Sequence, residues 1–246
     1  KQFLRNETIP LSEKKKLIHE TPKCSPLYIS TKTQICYLTV KKIALNELFW
    51  KIKILPYYKQ QTGILKKQMK ILIRSKEEEA ELQTKLSKEK CVKVDEIKKI
   101  INPNSRMNKY KDIKKLNIGM SKKDILSSRR KKTSAFYNCI VLIIRIFRET
   151  FREFHVKIFN TGKMEIPGIQ KHEDQAILFE KIIEFMQPYF SEKIEISPKV
   201  ITVLINSNFS CNFYINRNNL YNLLKYKYNI NSIYDPCSYP GIQAKF

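Results

Sequence analysis

Two stretches of this chain run through the same succession of signals: strand, helix, Tyr-containing turn, then a strand that opens Gly-Ile. The first covers 27–73 and the second 200–246, with Gly63-Ile64 corresponding to Gly241-Ile242 and Lys67 to Lys245. Each unit thus pairs strands with a helix whose spacing suits packing on a sheet. In the first unit Leu27–Leu38 is rich in β-branched and aromatic residues and reads as a strand. Val40, Ile43, Ala44, Leu48, Phe49 and Ile52 then recur at helical spacing up to Leu55, Trp50 joins the same core, and Pro56 ends the helix. Tyr57–Thr62 reads as a polar loop and Gly63–Ile73 as the second strand.

Between the two units lie a strongly apolar strand, Phe136–Phe147, and then HVKIFNTGKMEIPG, residues 155–168. In the latter, two alternating runs flank Asn160-Thr161-Gly162, which predicts a β-hairpin. Alternation puts Val156, Ile158, Met164 and Ile166 on a core face. His155, Lys157, Phe159, Lys163 and Glu165 fall on the other, where an aromatic among cations suits nucleic acid. Glu173–Phe190 predicts an amphipathic helix with the stripe Ala176, Ile177, Phe179, Ile182, Ile183, Phe185 and Met186. In the second unit Val200–Phe213 reads as one long strand. Val203, Ile205, Phe209, Cys211 and Phe213 share its core face, and Asn206, Asn208, Ser210 and Asn212 share its polar face. Asn offers both a donor and an acceptor, which suits the acceptor-lined minor groove. Asn218–Tyr228 is a helix and Tyr234–Phe246 a turn leading into a strand.

Charge narrows the partners. The 246 residues carry 47 Lys+Arg against 23 Asp+Glu, a net +24, which favours DNA, RNA or an anionic surface. There are five glycines and no Gly-rich nucleotide loop. The six cysteines are scattered without a C-x-x-C pair and only three histidines are present. Neither zinc nor a disulfide framework is expected; most cysteines read as small buried hydrophobes in a reducing, intracellular setting. No apolar run reaches the length of a membrane span. The layout expected is a basic leader over 1–26, a first repeat over 27–73 and 136–199, a charged insertion over 74–135 that is partly helical and partly disordered, and the first half of a second repeat over 200–246. A second hairpin and helix are expected to follow Phe246.

Three segments carry a family resemblance. YISTKTQICYLTVKKIAL (28–45), IFNTGKMEIPG (158–168) and YDPCSYPGI (234–242) together resemble the TATA-box-binding protein family, in the divergent form found in large nucleocytoplasmic DNA viruses. The resemblance implies an α+β saddle: a curved antiparallel sheet with helices on the convex side and the minor groove against the concave face. Apolar wedges enter base steps there and kink the duplex. By position, Phe159 resembles one wedge and Tyr239 stands where another would be, while Gln61 replaces a third. Asn206 matches a groove-reading Asn, Asn208 stands in a Val place, and Ile29 keeps an apolar place. Thr161, Pro240 and Ile242 fall within the matched motifs, and Lys163, Lys67 and Lys245 match phosphate-holding cations. Glu165 and Pro167 depart from the family's groove lining, and Leu27 takes an Asn place. The function implied is DNA bending at A·T-rich promoters in transcription initiation, without catalysis or a cofactor. A transcription factor IIB-like partner would dock at Asp235 and Pro236, beside RNA polymerase machinery, in the host nucleus or a cytoplasmic viral factory. The alternative is a saddle-fold interaction or structural protein that no longer reads DNA. An enzyme lacks support, because no paired-carboxylate constellation is visible and the acidic residues cluster in the insertion.

Overall fold

The computed structural model describes residues 22–101, 110–126 and 136–246. Most of the leader, and the basic run 127–132 that closes the insertion, lie outside them. The described residues form two compact units, one of 29–206 and one of 22–28 with 207–246.

The larger unit is a mostly antiparallel sheet with helices on one face, an α+β fold. Its strands are β1 (Tyr28–Tyr37), β2 (Gly63–Ile73), β3 (Val92–Ile101), β4 (Tyr110–Gly119), β5 (Cys139–Phe147), β6 (Phe151–Phe159), β7 (Lys163–Ile169) and β8 (Ile201–Asn208). They lie in the order β3-β4-β2-β5-β6-β7-β1-β8. Three helices, α1 (Leu45–Lys51), α2 (Lys76–Leu86) and α4 (His172–Met186), cover one face. Their Leu48, Phe49, Leu82, Leu86, Leu178, Ile182 and Met186 join Cys36, Leu116, Ile140, Leu142, Val156, Ile158, Met164 and Ile166 of the sheet in one core. The expected hairpin forms with its expected facing: Val156, Ile158, Met164 and Ile166 are fully buried.

Several expectations need correction. The first helix spans Leu45–Lys51, not Val40–Leu55. The hairpin turn captures the segment before it: Leu38 N donates to Gly162 O and Ile43 N to Asn160 O, both at 2.9 Å. These bonds hold the segment against the turn, and it stays non-helical up to Ala44. Gly162 makes this closeness possible. It sits at φ +78°, and a Cβ there would meet Val40 O at 2.2 Å. In α4 the buried line is Asp174, Gln175, Leu178, Ile182 and Met186, so Leu178 anchors the helix and Ala176 is exposed. Only Cys36 and Cys139 among the cysteines are buried. Burial pushes their thiols up to about 12 and about 11.

The insertion holds the expected helical part, α2 and the short α3 (Lys122–Leu126), but its described part also builds two strands that were not expected, β3 and β4, which extend the sheet beyond β2. Ser75 caps α2 by accepting from Glu78 N, while Glu78 reaches back to Arg74 N at 2.7 Å. Leu116 and Ile118 of β4 are fully buried under it. The charge of the segment hides these strands from a compositional reading, because lysines line their outward faces.

β8 is shorter than expected, ending at Asn208. It is an edge strand beside β1, and Val203 and Ile205, expected in a core, are 51% and 53% exposed. A strand side chain is buried only where a second layer lies over it. Phe209 and Phe213, in the smaller unit, are likewise exposed. That unit holds α5 (Arg217–Asn222), a π-helical turn (Leu223–Lys227) and the antiparallel pair β9 (Asn231–Asp235) and β10 (Tyr239–Lys245). Asn216 caps α5 through Asn219 N at 3.1 Å.

Candidate nucleic-acid interface

The sheet face opposite the three large helices carries the predicted hairpin residues. At the β6–β7 turn, Phe159 meets the ring of Phe136 edge-on, with centroids 6.2 Å apart. Lys163 Nζ lies 5.5 Å from the Phe159 centroid, Lys157 Nζ 4.9 Å from Phe136, and Lys70 Nζ 3.4 Å from Tyr137. Phe136 and Tyr137 are more than half exposed, and Phe159 is half-buried against its neighbour. Three aromatic rings and three ammonium groups thus share one end of the face. Sequence reading found Phe159, Lys157 and Lys163 but placed Phe136 and Tyr137 inside a core strand. They actually precede β5, and Asn138 at φ +51° turns the chain after them. Asn160 N donates to Asn138 O at 3.2 Å, which brings the two segments together.

Glu165, whose charge opposes a polyanion, has a partner on this face. It lies opposite Lys157 across β6–β7, with Nζ and Oε1 2.5 Å apart. The carboxylate is thereby matched within the sheet. One strand over, Glu165 faces Ile35, and Pro167 faces Thr33. Asn206 of β8 donates from Nδ2 to Thr31 Oγ1 at 2.8 Å, and Ser30 Oγ donates to Asn206 O at 3.1 Å. Asn206 is exposed, as is Ile29 beside it on β1. Thr161 is exposed at the tip of the turn.

Lys67 is corrected. It is 1% exposed and points to the helix side of β2, where Nζ donates to Ile52 O and to Glu89 Oε1, each at 2.9 Å. It is a buried structural cation and is not on the open face. Its neighbour Lys66 does point to the open face, since successive strand residues alternate, and pairs with Asp124 of α3 at 2.7 Å.

That pair holds α3 across part of the face. Ser121 N and Oγ also donate to Asp124, and Lys122 N donates to the Glu153 carboxylate at 2.9 Å. His155 sits near this cover. Burial first, then Lys157, Lys123, Lys115 and Lys66, pushes its pKa down to about 4. The neutral ring therefore adds no charge there at neutral pH.

The remaining candidates, Asn208, Tyr239, Pro240, Ile242, Lys245, Asp235 and Pro236, belong to the smaller unit. Tyr239 is 53% exposed and Lys245 is exposed, while Ile242 is half-buried. Asp235 closes its own turn, accepting from Cys237 N at 3.0 Å and Ser238 Oγ at 2.7 Å. These hydrogen bonds keep its carboxyl below the usual range.

Open rings offer stacking surfaces to bases, and ammonium groups beside them offer charge to phosphates. Among the described residues, no group of three or more His, Cys, Asp or Glu is placed to hold a metal ion. No described helix is long and apolar enough to cross a membrane. No family model and no curated protein matches this chain.

Proposed function

We propose that this protein binds the DNA minor groove and bends the duplex, acting in transcription initiation in the manner of a TATA-box-binding protein. The observation that carries the reading is the cluster of Phe159, Phe136 and Tyr137 with Lys157, Lys163 and Lys70 on the sheet face opposite α1, α2 and α4. The same face presents Thr31, Thr33 and Asn206, which are small and able to bond to groove acceptors. Net charge +24 supports a polyanionic partner. Phe159 is the wedge of this reading, and Tyr239 is its counterpart in the smaller unit. Asn208, Pro240, Ile242 and Lys245 supply further groove and phosphate contacts, and Asp235 with Pro236 forms the docking point for a transcription factor IIB-like protein beside RNA polymerase. The sheet takes the form of a saddle. The preferred sequence is A·T-rich, because a deformable duplex lowers the cost of bending. The protein binds without catalysing a reaction, where its template lies, in a host nucleus or a cytoplasmic viral factory.

One observation favours a second reading, a saddle-fold interaction protein that does not read DNA: α3 lies over the row of Lys66 and His155 on the face the duplex would need. Gel shift and energy transfer on an A·T-rich duplex separate the two. The DNA reading expects salt-sensitive binding with a bend, and Phe159→Ala costing about tenfold or more in affinity, the scale of one lost stacking contact. An affinity and bend untouched by Phe159→Ala favour the second reading.

A further inference from the structure

The segment that leaves β4 crosses the sheet face that carries Phe159. At Gly119, φ +93°, the chain doubles back toward β2, so closely that a Cβ there would meet Leu65 O at 2.1 Å. Met120 N donates to Leu65 O at 3.2 Å, and Lys122 N reaches the Glu153 carboxylate of β6 at 2.9 Å. β5 lies between β2 and β6, so residues 120–122 pass over it. The register sets Lys66, Ile143 and His155 level with one another on β2, β5 and β6. By alternation all three face away from α1, α2 and α4. Lys66 is nevertheless buried, and Ile143 is 8% exposed. A sheet residue is buried only where something lies over it, and the segment 119–126 is tied down on both sides of Ile143.

The fastening is polar. α3 buries none of its own residues, and Met120, Ile125 and Leu126 are all exposed. Asp124 instead accepts from Lys66 Nζ at 2.7 Å and from Ser121 N and Oγ at 2.8 and 2.6 Å. One carboxylate thus closes the first turn of α3 and clamps it to the sheet. Burial works against its ionisation, yet the bonds from Lys66 and Ser121 keep the carboxyl below its ordinary range. A segment with few apolar contacts of its own can open while the rest of a fold stays intact. A phosphate oxygen is also a fit replacement for a carboxylate on an ammonium group.

His155 and Glu153 stand four and six residues before Phe159 on β6, about 13 and about 20 Å along the strand. A helix about 10 Å across, centred on the nearer row, leaves roughly 8 Å beside the wedge. One major groove alone is about 12 Å wide. A duplex seated on Phe159 therefore meets α3.

We infer that residues 119–126 form an autoinhibitory strap over the DNA face. Closed, Asp124 holds Lys66 in place of a phosphate, and α3 occupies the flank of the duplex. Binding exchanges the carboxylate on Lys66 for a backbone phosphate, lifts the strap and uncovers Ile143. The strap sets the affinity through the fraction of chains in which it is open. The inference rests on the DNA-binding reading above and adds to it a cover that the duplex must displace.

The test compares the full chain with Asp124→Asn, which loosens the clamp, and with Glu149→Gln, which neutralises an exposed carboxylate at the β5–β6 turn. Gel shift and energy transfer read affinity and bend on an A·T-rich duplex, and hydrogen exchange follows the amides of 120–126 with and without it. Asp124→Asn is expected to tighten binding about three- to tenfold, the penalty of a face open between about a third and a tenth of the time. Glu149→Gln is expected to change it by less than about twofold, since exposed charge is screened. The duplex is expected to speed exchange across 120–126 in the wild-type chain, whereas a strap that merely touches DNA would slow. Equal effects of the two substitutions, weaker binding by Asp124→Asn, or a strap that slows or does not change on binding each overturn the inference and leave the DNA reading standing. Where Asp124→Asn fails to fold, exchange in the wild-type chain decides alone. A wild-type chain that neither binds nor bends the duplex overturns both together.

Discussion

The turn and strand at 55–73 and the turn and strand at 233–245 begin from the same local plan and end in different environments. In the first, Leu55 N donates to Ile64 O at 2.7 Å, and Arg145 of β5 donates to the carbonyls of Tyr57, Lys59 and Gln61. The strand that follows has β4 on one side and β5 on the other. In the second, Ile233 pairs with Gln243, the turn is closed by its own Asp235, and among the described residues β10 has β9 alone as a neighbour. Lys67, covered by Phe49, Ile52 and Glu89, is buried in an ion pair and Lys245 is exposed, although the repeat puts them in the same place. Equivalent residues take their roles from what lies over the strand.

The sharpest way to break this comparison is to truncate both lysines. Lys67→Ala removes one partner of a buried pair and leaves the Ile52 carbonyl and Glu89 without it, which is expected to cost about 3–5 kcal/mol. Lys245→Ala is expected to stay within about 0.5 kcal/mol. Urea unfolding of the full chain measures both, and equal losses would erase the distinction.

On the open side of the sheet His155 is half-buried and feels the charges of Lys157, Lys123, Lys115 and Lys66. A ring that stays neutral down to about 4 when folded, against 6.5 otherwise, takes up its proton more readily in the unfolded chain. Stability therefore falls as pH drops from 6.5 toward 4, by on the order of 3 kcal/mol, and this contribution levels off below that. Glu79 acts in a separate window. Its hydrogen bonds from Lys114 and Tyr110 hold its carboxyl down to about 2 from 4.5, so its contribution is lost between those values. Acid titration of His155→Gln should remove the upper window and leave the lower one. An unchanged upper window shows that His155 is not the group that titrates there.

A smaller effect separates the turns themselves. Arg145→Ala strips donors from three carbonyls and is expected to cost about 2–3 kcal/mol, with faster hydrogen exchange across 57–63. Arg217 donates to Pro240 O in the second turn, and its exposed position makes Arg217→Ala nearly neutral, within about 1 kcal/mol.

Legibility followed the range of the interactions involved. The hairpin at 155–168 could be read because alternation and a turn motif are local, and its faces came out as expected. Gly63–Ile73 was placed to the residue for the same reason. The insertion was misread because its strands are lysine-rich, and lysine is tolerated in a strand when an added sheet edge gives it an outward face. Phe136 and Tyr137 were assigned to a core because they adjoin an apolar run; only the bond from Asn160 to Asn138 sets them beside Phe159. Glu165 looked like an obstacle because its partner Lys157 is eight residues away and becomes adjacent only across the hairpin.

Periodicity and turn chemistry were enough to place most strands and helices and to sort the faces of the 155–168 hairpin, since each is encoded within a few neighbouring residues. Which strands became neighbours, that the insertion joined the sheet, that Lys67 turned inward, and that α3 came to lie near His155 all depended on contacts between segments far apart in the chain. Alternation says that a side chain has a face, but what lies over that face is fixed by packing, and packing is a property of the whole fold.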